Sequence, residues 1–136
     1  MKTMTLYTFN LTTAQGVDKT VCQTYVSKEA ARAAVIRDYP NCTIWTMDAV
    51  ELMNVNIHDM KTGDLVFMGM ALFEVKQDYT VERDAEDLKH GYSDERGVAV
   101  RLADWVKGWI EPGYYGPGKV WNFQGNHRVT HWIVVR

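Results

Sequence analysis

The stretch Leu65–Val75 reads LVFMGMALFEV and is apolar everywhere except at Gly69 and Glu74. A β-strand shows alternate side chains to its two faces, so an unalternating apolar run needs cover on both. The run is too short for a membrane span, which takes about 18 or more apolar residues. It therefore predicts a central strand buried on both sides, with Gly69 marking a bulge or close packing. The chain of 136 residues has the length of one domain. Size scaling allows roughly two-thirds of its unfolded surface to be buried, enough for a core without staples.

The remaining pattern groups around that strand. TLYTFNLTT alternates, with Leu6, Thr8 and Asn10 on one face and Tyr7, Phe9 and Leu11 on the other. Gly16 supplies a turn into KTVCQTYV, and the pair reads as a hairpin. Ser27 is placed to cap a helix over KEAARAAVIRDY, whose Ala31, Ala34, Val35 and Tyr39 share a face. Pro40 and Asn41 end it, and CTIWTM is β-prone. Residues 1–47 thus predict a ββαβ unit. Residues 48–77 predict a second hairpin turned at Gly63. Residues 78–111 predict a helical segment: a short polar helix over ERDAEDLKHG, then a longer one over DERGVAVRLADWVKGWI. The longer helix carries Val98, Leu102, Trp105, Val106 and Trp109 as an apolar stripe. Residues 112–136 predict an aromatic loop and a terminal hairpin, KVWNF with RVTHWIVV, turned at Gly125–Asn126. The expected fold class is α+β: the N-terminal ββαβ unit and later hairpins form a mostly antiparallel sheet with helices packed on one face.

Charge and composition narrow the functions. Net charge is −2, unevenly spread: residues 48–78 hold six acids against two bases, and residues 119–136 hold three bases and no acid. That is not the basic surface of a dedicated nucleic-acid binder, so direct nucleic-acid binding is not expected. The N-terminus alternates and lacks the apolar block of an export signal, which makes the cytoplasm the expected compartment and Cys22 and Cys42 reduced thiols.

No catalytic constellation is expected. His127 and His131 lie four apart, and along a strand that spacing separates them by about 13 Å, so they are not expected to share a metal. His58 and His90 have no Cys or His neighbour in sequence. The two serines, Ser27 and Ser93, are explained as helix caps. GYYGPG lacks the Lys-Ser/Thr continuation of a phosphate-cradling loop. No cofactor is implied.

Two features carry binding readings. The acidic segment contains Asp78, Glu82, Asp84, Glu86, Asp87, Asp94 and Glu95, a candidate face for a partner protein with a basic surface. The loop Pro112–Trp121 contains Tyr114, Tyr115, Lys119 and Trp121, aromatics and a base of the kind found in recognition loops. The leading expectation is a non-enzymatic intracellular protein-binding module, an inhibitor or adaptor. Its size and charge suit a phage or mobile-element inhibitor of a host nucleic-acid-processing or defence complex. The second is a small-ligand or nucleotide-binding protein using the Tyr114–Trp121 loop. The third is a small enzyme with a spatially assembled Cys/His site. The two-sided apolar strands also leave a homodimer interface open.

Overall fold

A computed structural model describes residues 3–69, 71–81, 85–90, 95–108, 120–125 and 130–136, with backbone alone for 77–81, 87–88, 95–97 and 120–125. The first half runs strand, strand, helix, strand: β1 (Thr3–Thr12), β2 (Asp18–Thr24), α1 (Lys28–Asp38) and β3 (Thr43–Asn56). After a 3-10 turn (Ile57–Asp59) come β4 (Leu65–Met68), β5 (Ala71–Val81), the short α2 (Ala85–Lys89), β6 (Glu95–Leu102), β7 (Val120–Gly125) and β8 (Thr130–Val134). Among the described residues eight strands join one sheet in the order β2-β1-β3-β8-β4-β5-β6-β7, and their pairings are antiparallel. The molecule is mostly antiparallel sheet.

The β1–β2 hairpin and α1 form where local chemistry asks for them. Gly16 takes φ +82, open to glycine at little cost, in the β1–β2 turn. The Ser27 hydroxyl accepts the Ala30 amide at 3.1 Å, capping α1. Ala31 and Val35 then pack on Phe9, Leu11 and Val21, burying the odd-numbered face of β1 and β2 under the helix, and Ala34 is buried as well. The even-numbered face, with Leu6, Thr8 and Cys22, is buried as well. β1 therefore has cover on both sides.

Three sequence expectations are overturned. First, Leu65–Val75 is two strands. β4 and β5 pair Leu65↔Glu74 through Met68↔Ala71, and Gly69, at φ +59, lies in the connection instead of marking a bulge in one strand. The two-sided burial remains: Val66, Leu72, Phe73 and Val75 are all buried. Second, neither later hairpin forms as read. Gly63 does turn the chain, at φ +94 with its amide donated to Val75 O, but β3 and β4 do not pair. β8 inserts between them, setting Leu52 and Met53 beside Val134 and Ile133, and Val66 and Phe67 beside Ile133 and Trp132. β7 leaves β8 and pairs with β6, Val98↔Phe123 and Val100↔Trp121. A strand apolar on both faces gains most at the sheet's centre, where neighbours flank it on either side. Within the chain, β8 is flanked by β3 on one side and β4 on the other. Third, of the long helix predicted over residues 94–110, the described part, 95–108, is β6 and the segment after it. Val98, Val100 and Leu102 share one face at period two and are buried. Trp105, expected as a core anchor, is 44% exposed.

The sheet curls until its first edge meets the segment behind β6. The Thr20 amide donates to Lys107 O at 3.0 Å, and the Lys107 amide donates to Thr20 Oγ1 at 3.0 Å. The Ala103 amide reaches Leu72 O, so the same segment is tied to β5 on its other side. Gly108 permits the approach. It sits at φ +81, and a Cβ there would lie 2.9 Å from both Asp18 O and Lys19 Cγ. The ties cover part of the β2 edge that would otherwise offer free backbone groups.

Candidate functional site

Curling leaves a cleft of about 390 Å3 between the two arms of the sheet. One arm contributes Thr8 and Asn10 of β1 and Asp48, Ala49 and Val50 of β3. The base contributes Val134 of β8, and the other arm Leu65 of β4 and Leu72 of β5, with Trp105 at the closing segment. Register explains most of this set. Thr8 pairs with Asp48, Leu6 with Val50, Leu52 with Val134, and Phe67 with Leu72, which brings the even side chains of β1, β3 and β8 to one face with Leu65 and Leu72. Among the described residues the lining is mostly aliphatic and aromatic, with Thr8 and Asn10 as polar groups and Asp48, which is exposed, as the one charged group.

A polar ladder forms the cleft's rim. Asn10 Nδ2 donates to Thr46 Oγ1 at 2.9 Å, and Asn10 Oδ1 accepts from Thr20 Oγ1 at 2.8 Å. Thr20 Oγ1 also lies 3.3 Å from Trp105 O. The ladder therefore crosses β3, β1, β2 and the closing segment. It fixes the Asn10 amide between the cleft and a second depression of about 410 Å3, lined by Asn10, Leu11, Thr12, Asp18, Lys19, Trp45 and Lys107.

None of the sequence-derived site residues is among the described residues that line the cleft. Tyr114, Tyr115 and Lys119 lie outside the described residues; Trp121 is in β7 opposite Val100. Of the acidic segment, Glu82, Asp84 and Asp94 also lie outside them. Asp78 is on β5 opposite Val98, Glu95 is on β6 opposite Val81, and Glu86 and Asp87 are on α2. Glu86 is exposed, with its Oε1 3.9 Å from His90 Nε2. Sequence reasoning missed Asn10, Asp48, Trp45 and Trp105. One signal was present: Ile44 and Trp45 are adjacent apolar residues in a strand that should alternate, the mark of a bulge.

The two cysteines lie in different core clusters. Burial pushes the Cys22 thiol up to about 11, against a hydrogen bond from Thr8 Oγ1 at 3.8 Å that acts the other way. Cys42 packs against the α1 side of the sheet, away from Cys22. Burial holds His131 of β8 below the usual histidine range; His58 and His90 are exposed, and His127 lies outside the described residues. Among the described residues no group of three or more His, Cys, Asp or Glu could hold a metal ion, and no helix is long and apolar enough to cross a membrane. Compared with protein-family models, curated proteins and solved structures, the chain matches none.

Proposed function

We propose that the chain is a non-enzymatic binding module that seats a small amphipathic ligand in the cleft between the arms of its sheet. The observation that carries this reading is the lining. Val50, Leu65, Leu72, Val134 and Trp105 line a volume suited to a small molecule, and Asp48 is the one carboxylate among its described lining residues. An apolar body would be desolvated by the walls, and a cationic end would meet Asp48 beside Thr8 and Asn10. Of the two binding readings the sequence leaves open, this favours the small ligand over the protein inhibitor, with its seat in the cleft instead of the Tyr114–Trp121 loop. In the acidic segment, Glu86 is exposed near His90, which supports a solvated helix face. Burial, which pushes the Cys22 thiol up to about 11, supports a role in which Cys22 is not a nucleophile.

A matched series tests the reading: phenethylammonium, phenethyl alcohol and phenylacetate, titrated by calorimetry. Affinity should fall in that order, with the ammonium favoured over the alcohol by roughly tenfold, the worth of about 1.4 kcal/mol from a charged hydrogen bond. Asp48→Asn should compress the difference, and Val134→Trp, which fills the cleft, should abolish binding of all three. Equal binding of the ammonium and the carboxylate, or binding unaffected by Val134→Trp, would contradict it.

A further inference from the structure

Trp45 is held in an arrangement that its own packing does not call for. In the β1–β3 ladder, Asn10 pairs with Thr46 and Leu11 pairs with Ile44. Trp45 is the residue left over, a bulge in β3. Bulges re-aim a side chain out of the pleat, and this one leaves the indole 67% exposed. The ring is nevertheless fixed. Its Nε1–H donates to Thr12 Oγ1 at 2.8 Å, and the Thr12 hydroxyl donates to Asp18 Oδ1 at 2.8 Å. With its one polar atom satisfied, the indole offers the ligand its apolar face.

That face lines the depression of about 410 Å3 beside the cleft. The charged side chains around it are of opposite sign. Asp18 supplies a carboxylate and Lys107, exposed on the closing segment, an ammonium. Lys107 is located through its backbone pair with Thr20. Lys19 contributes its stem, because its ammonium lies over the Tyr39 ring, 5.4 Å from the centroid. An anionic ligand would be drawn by Lys107 and repelled by Asp18; a cationic ligand would meet the reverse. A hydroxyl both donates and accepts, so a vicinal diol satisfies a carboxylate and an ammonium together.

We propose that this depression is a second binding site, for a neutral pyranose ring stacked on Trp45, with its hydroxyls bridging Asp18 and Lys107. The aliphatic C–H face of such a ring matches the indole, and its edge matches the mixed-charge rim. The site adjoins the cleft at Asn10 but does not depend on the cleft's ligand.

The test follows the indole Nε1–H resonance of Trp45 in isotope-labelled protein, assigned with Trp45→Phe. The probes are methyl β-D-glucopyranoside, methyl β-D-galactopyranoside and methyl α-D-mannopyranoside, with adenosine monophosphate and choline as the charged comparisons. At least one glycoside should shift the resonance saturably, with an affinity in the millimolar range that suits so few contact atoms. Choline and the nucleotide should leave it in place. By ligand-observed saturation transfer, Trp45→Ala should weaken glycoside binding at least about tenfold and Lys107→Met at least about threefold, the stacked aromatic being the anchor. Both residues are exposed, so the melting temperature should hold. Val134→Trp should leave glycoside binding intact, which separates this site from the cleft. No response to any glycoside, an equal or larger response to the nucleotide or to choline, or full glycoside binding by Trp45→Ala would overturn the proposal.

Discussion

At the scale of single residues, Cys22 and Gly108 show how position decides what a side chain can do. The Cys22 sulfur is fully buried, and burial raises its pKa to about 11, so the reactive thiolate is scarce near neutral pH. With a small alkylating reagent, the half-buried Cys42 should be modified first and Cys22 only when the fold opens; mass spectrometry of the digested protein checks the order. Gly108 acts through space it leaves empty. Gly108→Ala adds a Cβ against Asp18 O and Lys19 Cγ at a φ that alanine resists. It should cost about 1–3 kcal/mol of stability. Gly16→Ala, at a similar φ but with nothing within 4 Å, is the matched control and should cost less. Equal melting temperatures for the two variants would argue against the closure of β2 on the segment after β6.

At the scale of elements, the turn before β4 is locked by a charge pair reaching in from beyond β8. Arg136 Nε lies 2.9 Å from Asp64 Oδ1, and one guanidinium NH2 lies 2.7 Å from Oδ2 and 2.9 Å from Asp59 O. The Lys61 amide also donates to Asp64 Oδ2 at 2.7 Å. Asp64 is only 7% exposed. Its burial alone would raise the carboxyl pKa, but the bonds from Arg136 and Lys61, with their positive charges, outweigh it and leave the pKa lowered. A lowered carboxyl pKa contributes stability above its unfolded value, about 4, and loses it as pH falls through the folded value. Arg136→Ala should therefore cost about 1–2 kcal/mol at neutral pH, the low end because the guanidinium is partly exposed and screened. It should also flatten the loss of stability below about pH 4. Chemical denaturation across that range measures both effects.

The same scale shows where the fold was legible in sequence. β1, β2 and α1 could be read because their partners are near in the chain and their signals local: alternation, Gly16, the Ser27 cap. β6 was misread because Val98, Leu102 and Val106 are spaced by four, and four is a multiple of the strand period as well as about one helical turn. Val100 at period two was the deciding residue, and Trp105, exposed, belonged to neither pattern. The place of β8 could not be read locally, because its partners Leu52, Met53, Val66 and Phe67 lie more than sixty positions away. The cleft shared that fate. Its lining comes from β1, β3, β4, β5, β8 and Trp105, which no sequence window holds together.

At the scale of the whole molecule, the account rests on the curl that opposes the two arms of the sheet and leaves a ligand-sized cleft between them. The most direct measurement uses methyl-labelled protein with phenethylammonium bound, recording nuclear Overhauser effects between the probe and assigned methyl groups. The account predicts contacts at once to Val50 on one arm, Val134 at the base, and Leu65 and Leu72 on the other arm. Contacts confined to one arm, or none to these methyls while the probe is bound, would contradict it.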